Sequence, residues 1–158
     1  MKIRKAETAD IPRIMDLLHQ VNDIHAEGRP DLFVKGHTKY TAAEVAEVIK
    51  DPLTPVFVYI DGEAGLLGYC FCIVQDHTGE QHLAPVKTLY IDDLCVDAKV
   101  RGRHIGTALY EYVRSYAAES GFYNITLNVW ARNPSAMKFY EALGMRPYKF
   151  AMEQILRQ

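Results

Sequence analysis

KTLYIDDLCVDAKVRGRHIGTALYEYV, Lys87 to Val113, is the stretch that decides the fold. Its first ten residues, Lys87 to Val96, predict a strand, and from Leu89 to Val96 the run is almost continuously apolar apart from Asp92 and Asp93, as in a strand buried on both faces. Ile105, Ala108, Leu109, Tyr112 and Val113 then recur at helical spacing, and the same stripe runs on through Tyr116 and Ala117 to a stop at Gly121. Between the two lies a basic turn, Arg101, Gly102, Arg103, His104, Ile105, Gly106 and Thr107. A helix start leaves backbone N–H groups without intrahelical partners, so a turn of this kind can bind an anion. The two arginines add positive charge, and glycines at 102 and 106 remove Cβ atoms that would hold a diphosphate away from the backbone. The segment by itself reads equally as a solvated turn with two surface arginines.

Downstream, Ile125, Leu127 and Val129 alternate with polar residues as a strand, and Asn133 followed by Pro134 opens a short helix that Gly144 ends. Tyr148, Phe150 and Met152 alternate again and predict a last strand. Upstream, Lys2 to Lys5 is a strand. Thr8 or Asp10 caps a helix with Ile11, Ile14, Met15, Leu18 and Val21 on one face. From His25 to Tyr40 the period is lost and a long irregular connection is expected. Thr41 with Glu44 forms a capping box for a second helix, which Asp51 and Pro52 stop. Val56 to Ile60 and Leu66 to Val74 form an antiparallel hairpin across Asp61 and Gly62, with a polar loop from Gln75 to about Pro85. This order is that of the α/β (α+β) class.

The 158 residues, 49% of them apolar, suffice for one ordinary core, so one domain over 1–158 is expected. A formal net charge of -2 removes the electrostatic reason to expect nucleic acid and favours a small molecule or peptide. The charged N-terminus lacks a signal-peptide core and no run approaches the ~20 apolar residues of a span, so a cytoplasmic protein without a membrane partner is expected. Cys70, Cys72 and Cys95 form no CxxC pair, and the six histidines are scattered, so no metal is expected.

Arg101 and Gly106, with Asn133, Ala136, Phe139, Tyr140, Gly144 and Met145, reproduce two spaced motifs by which the chain resembles the GNAT (Gcn5-related N-acetyltransferase) family. His104 stands where the family usually has a glycine. The resemblance is firm from Lys87 to Pro147 and rests on element order elsewhere. It implies a single GNAT-like domain with a central mixed twisted sheet and helices on both faces. It also implies acetyl-CoA as cosubstrate, its diphosphate on the amides of residues 101–107 and its pantetheine arm along the backbone of Leu94, Cys95 and Val96. Asn133 has two compatible readings, helix cap and cofactor contact. Tyr140 stands at the place of the general acid that protonates the departing thiolate, although it also reads as plain core. The resemblance also implies a homodimer as an expectation for this chain. A dinucleotide fingerprint is the rival reading of the turn, but RGRHIG lacks its spacing and no acidic ribose ligand follows a strand.

Transfer of an acetyl group to an alkylamine requires a proton acceptor, because such an amine, with a pKa of ~10, is almost wholly protonated at neutral pH. Asp92 and Asp93 are the candidates, with a water chain as a third route. Successive strand side chains point to opposite faces, so the two should not act from the same side. The resemblance favours Asp92, since polyamine acetyltransferases of the family carry an acidic pair here with its first member as base; Asp93 could orient a cationic substrate. No histidine neighbours Cys95 in sequence, which argues against an acyl-enzyme. The expected function is acetyl transfer to a primary amine, small molecule or peptide N-terminus, by direct attack in a ternary complex. A non-catalytic acyl-CoA sensor or partner subunit is the alternative. The acceptor contacts are expected in the irregular stretch of His25, Glu27, Arg29, Asp31, Phe33 and Tyr40.

Overall fold

The computed structural model describes residues 1–157. Along the chain come β1 (Lys2–Lys5), α1 (Ile11–Gly28), α2 (Ala42–Lys50), β2 (Val56–Asp61), β3 (Gly65–Asp76), β4 (Lys87–Val96), α3 (Ile105–Glu119), β5 (Asn124–Leu127) and α4 (Pro134–Ala142). The strands lie in the order β1-β2-β3-β4-β5, the first four antiparallel and β5 parallel to β4, so the sheet is mixed as expected. The chain divides into two compact units, Met1–Asn128 with the whole sheet and α1 to α3, and a smaller one from Val129 that holds α4.

Alternation along the strands gives the sheet two apolar faces, and each takes helices. Ile14, Leu17 and Leu18 of α1 and Val45 of α2 pack with Val56, Val58, Tyr69, Phe71 and Cys95 on one side. Ile14, Leu17 and Leu18 are wholly inaccessible, and burial of a side chain of this size contributes about 1.5–3 kcal/mol. On the other side, Ile105 and Leu109 of α3 cover Tyr59 and Leu67, while Phe57 lies against the rings of Tyr112 and Tyr116 at 5.4 and 5.0 Å. Gly68 makes this second layer tight: a Cβ there would stand 2.9 Å from the Cys95 carbonyl oxygen and 3.1 Å from Leu109.

The capping box of Thr41 and Glu44 forms as expected, and Gly121 and Gly144 both take positive φ just past their helices. Four expectations need correction. Helix α1 continues to Gly28, one turn into the stretch expected to be irregular, because Ala26 still finds a buried place. Asp10 does not cap α1 by its side chain; the carboxylate instead takes the Arg4 guanidinium at 2.7 and 3.0 Å and the Glu7 N–H at 2.8 Å, two nearer donors. Strand β3 reaches Asp76 and β5 ends at Leu127, so the neighbouring loops begin later and earlier than predicted. Finally, no strand forms at Tyr148, Phe150 and Met152, which are exposed; alternation alone makes no strand without a ladder to join.

Candidate active site

Strand β4 carries an irregularity where the two aspartates stand. Phe71 of β3 is opposite Asp93, and its neighbour Cys72 is opposite Ile91, so Asp92 is the extra residue of a β-bulge. The bulge resets the alternation. Asp93 lies across from Phe71, on the α1 and α2 side, and Asp92 is drawn to the same side: its Oδ2 accepts from the Tyr40 hydroxyl at 2.8 Å, and the Tyr40 ring stacks on Phe71 at 5.6 Å. Asp93 accepts from the Tyr69 hydroxyl at 2.6 Å, and Tyr69 meets Phe71 edge-on at 4.9 Å. Both carboxylates therefore engage one aromatic cluster, Tyr40, Phe71 and Tyr69, which corrects the expectation that they serve opposite faces.

The remaining Asp92 oxygen, Oδ1, is held by the Lys39 ammonium at 2.6 Å. Loss of hydration is the largest influence on the Asp93 carboxyl and pushes it up to about 6; the Tyr69 hydrogen bond and the Lys39 charge pull the other way, and the Asp92 charge adds to the rise. Burial and the Asp92 contact keep the Tyr40 phenol protonated far above its ordinary range, and burial with the Asp93 charge does the same for Tyr69. The site thus holds a carboxyl that titrates near neutral pH among hydroxyls that stay donors.

On its other edge β4 is open. Its ladder with β5 runs from Thr88↔Asn124 to Ile91↔Leu127 and stops, so from Asp92 to Val96 the strand is paired on the β3 side alone among the described strands. That edge offers backbone N–H and C=O groups to an extended ligand, as an added strand would use them. Leu94 and Val96 turn their side chains to the α3 layer, and Cys95 is buried in the opposite one. Burial raises the Cys95 thiol to about 12, and its Sγ lies 3.7 Å from the Leu17 carbonyl oxygen, so it remains a packed thiol at neutral pH.

The turn after β4 is fixed from below. Asp97, buried, accepts from the Arg13 guanidinium of α1, from the Lys99 N–H at 3.0 Å and from Gln20 at 3.5 Å, while the Gln20 side-chain oxygen takes the Ala98 N–H at 3.1 Å. The Lys99 amide and then the Arg13 charge hold the Asp97 carboxyl below its usual range. From this anchor the chain passes exposed Arg101, Gly102, Arg103 and His104 into α3. Gly102 has φ +79° and His104 φ +60°, the left-handed conformation that favours glycine. His104 therefore adopts the left-handed conformation that a glycine would take, and α3 begins directly after it at Ile105. The amides of Ile105, Gly106 and Thr107 stand in its first turn, where no carbonyl of the helix can reach them. Positive charge, a helix N-terminus and two left-handed residues fit an anionic diphosphate.

In the smaller unit the Asn133 side-chain oxygen accepts from the Ala136 N–H at 3.1 Å, the cap that its position predicts. Tyr140, half-buried, lies on α4 with its ring edge-on to Phe139 at 5.0 Å.

Residues 18–145 match the family described as acetyltransferase (GNAT) family. The chain belongs to that family. Among solved structures, the tetramutant of the BH1408 protein from Bacillus halodurans is 30% identical over 99% of this chain and 100% of that one, with a TM-score of 0.93. An acetyltransferase from Trypanosoma brucei, 19% identical over 98% and 99% of the two chains with a TM-score of 0.72, shares the GNAT fold. So does the glucosamine-6-phosphate N-acetyltransferase of Arabidopsis thaliana, 20% identical over 99% and 98% with a TM-score of 0.65. None of the curated proteins gives a match.

Sequence reasoning missed Lys39, Tyr69, Arg13, Gln20 and Asp97, while Tyr40 was placed among the acceptor-loop candidates. Each missed residue meets its partner across 24 to 84 positions, and no local pattern marks such a pair. His25 and Phe33, also expected near the acceptor, stack on each other at 5.1 Å; burial and then the Lys39 charge lower the His25 pKa.

Proposed function

We propose that this GNAT protein is an acetyl-CoA-dependent N-acetyltransferase, one domain over residues 1–158, that acetylates a primary amine of a small molecule or a peptide N-terminus by direct attack in a ternary complex. The observation that carries the reading is Asp93: a carboxyl raised to about 6, held by Tyr69, at the point where the edge of β4 opens. A proton acceptor works best with a pKa near the operating pH, so Asp93 suits removal of a proton from an ammonium group at neutral pH. Asp92 sets the charge beside it. The backbone of Leu94, Cys95 and Val96 and the amides of residues 101–107 would hold acetyl-CoA, which supplies an acetyl group activated as a thioester. Asn133 is a further contact to it. Tyr140 takes the role of the acid, since a phenol with an ordinary pKa of ~10 is protonated at neutral pH and can donate to a sulfur as charge develops there.

Thiol released from acetyl-CoA, measured with a panel of a monoamine, a diamine, an aminosugar and a short peptide, tests the reading. At least one amine is expected to drive release. Tyr140→Phe is expected to lower the turnover number by roughly 100-fold to 10,000-fold while acetyl-CoA binding changes far less, because the hydroxyl acts as the carbon–sulfur bond breaks. Acetyl-CoA binding without release for any amine would overturn the enzyme in favour of a sensor. Near-normal turnover of the variant would remove Tyr140 from the chemistry.

A further inference from the structure

Asp92 lies deep in the site, with its side chain 9% exposed, whereas the Lys39 side chain that meets it is 51% exposed. The carboxylate has no free oxygen: Tyr40 takes Oδ2 from within and Lys39 takes Oδ1 from the solvent side. The segment that delivers both residues joins α1 to α2 and is tied at each end. Asn22 of α1 donates to the Val34 carbonyl at 2.8 Å, Asp23 accepts from the Gly36 N–H at 3.0 Å, and Thr41 begins the capping box of α2. Thr38 donates to the Tyr40 carbonyl at 2.7 Å, and the Tyr40 ring is stacked on Phe71. Backbone and ring are thereby held, and the Lys39 side chain is the part of the segment that reaches Asp92 from water.

The charges follow from this arrangement. Two carboxyl groups stand side by side on β4, and Lys39 is the cation that meets them among the described residues. With Asp93 ionised the trio Lys39, Asp92 and Asp93 carries one negative charge in all. One positive charge on an acceptor balances it; a second finds the neighbouring carboxylate of β4, Asp92, already paired. An acceptor with two ammonium groups would have to displace Lys39 from Asp92, losing a charge-assisted hydrogen bond for each one it gains.

We propose that Lys39 is a specificity-determining residue, a built-in counter-ion on Asp92 through which the site accepts amines bearing a single positive charge and discriminates against diamines and polyamines. The inference rests on the amine-acetyltransferase reading above and narrows its substrate class. Like-charge repulsion and an occupied carboxylate act together here, so the discrimination is built from a repulsive element as well as an attractive one.

The test compares 1-aminobutane with 1,4-diaminobutane, two amines of like length and different charge, on the wild type, Lys39→Gln and Lys39→Arg. Thiol release from acetyl-CoA gives kcat/KM for each pair, and calorimetric titration without acetyl-CoA gives the two affinities. Lys39→Gln is expected to raise the diamine-to-monoamine ratio in both readouts by roughly tenfold, the order of one charge-assisted hydrogen bond, and Lys39→Arg to keep the wild-type ratio. An unchanged ratio in Lys39→Gln overturns the inference, as does a wild type that already favours the diamine by that margin. A structural role for Lys39 would weaken both amines alike and leave the ratio still. If no amine releases thiol, the acetyltransferase reading fails, and the affinities alone decide the inference: tighter diamine binding by Lys39→Gln supports it, and equal or absent binding overturns it.

Discussion

The middle of β4 and the turn that follows it solve opposite problems of charge. At the bulge, two carboxylates are carried into a packed aromatic cluster, and the side chains that bond them come from far along the chain: Lys39 and Tyr40 for Asp92, Tyr69 for Asp93. In the turn, charge is kept at the surface on Arg101 and Arg103, and the groups offered to a ligand are main-chain amides whose direction is fixed by local φ and ψ. A carboxyl in the first setting can be tuned, because burial and neighbours act on it strongly. An exposed backbone nest in the second has little to tune and much to shape. In the function proposed above, proton transfer belongs to the one and anion binding to the other, and substitutions in each should separate chemistry from affinity.

The largest effect is expected at Asp93. Asp93→Asn keeps the shape but cannot take a proton, and turnover should fall by roughly 100-fold to 10,000-fold with acetyl-CoA affinity little changed. Asp92→Asn should cost less. Steady-state kinetics with saturating acetyl-CoA decide, and a greater loss in Asp92→Asn would hand the proton to that residue. The same variant has a signature in stability. The folded Asp93 carboxyl lies above its unfolded value of about 4, so the native state holds its proton longer, and stability contributed by this group falls as pH rises from there through about 6. Thermal melts of wild type and Asp93→Asn from pH 4 to 7.5 should show the wild type losing ground to the variant across that window; parallel curves would mean an ordinary, hydrated carboxyl.

A smaller effect, confined to binding, is expected at the turn. Gly106→Glu puts a side chain and a negative charge at the N-terminus of α3, and CoA affinity should drop about tenfold or more through loss of the anion site. Titration of CoA into the folded variant checks it, and unchanged affinity would move the diphosphate elsewhere.

The smallest effect sharpens the comparison from the side of shape. His104 is exposed and left-handed, so His104→Gly gives up no buried contact and relieves a conformation that costs a non-glycine residue about 1 kcal/mol. A gain of up to that amount, a few degrees in Tm, is expected, reduced by the greater freedom of glycine in the unfolded chain. A lower Tm would show that the imidazole contributes more than the turn costs.

The sequence by itself determined the strand of Lys87–Val96, helix α3 and the basic turn that opens it, the caps at Thr41 and Asn133, and the glycine stops at Gly121 and Gly144. These depend on residues within a turn or two of one another, where spacing alone carries the physics. It also singled out Asp92 and Asp93, because two acids in an apolar strand are costly wherever that strand lies. Tertiary structure decided where the acids point and what bonds them. A bulge opposite Phe71 put both on one side of the sheet against the rule of alternation, and Tyr69, Tyr40 and Lys39 arrived from other strands and loops to bond them. The same holds for the missing strand at Tyr148 to Met152, whose alternation was plain but which joins no ladder. Register and long-range pairing are properties of two segments at once, and the sequence of either one does not contain them.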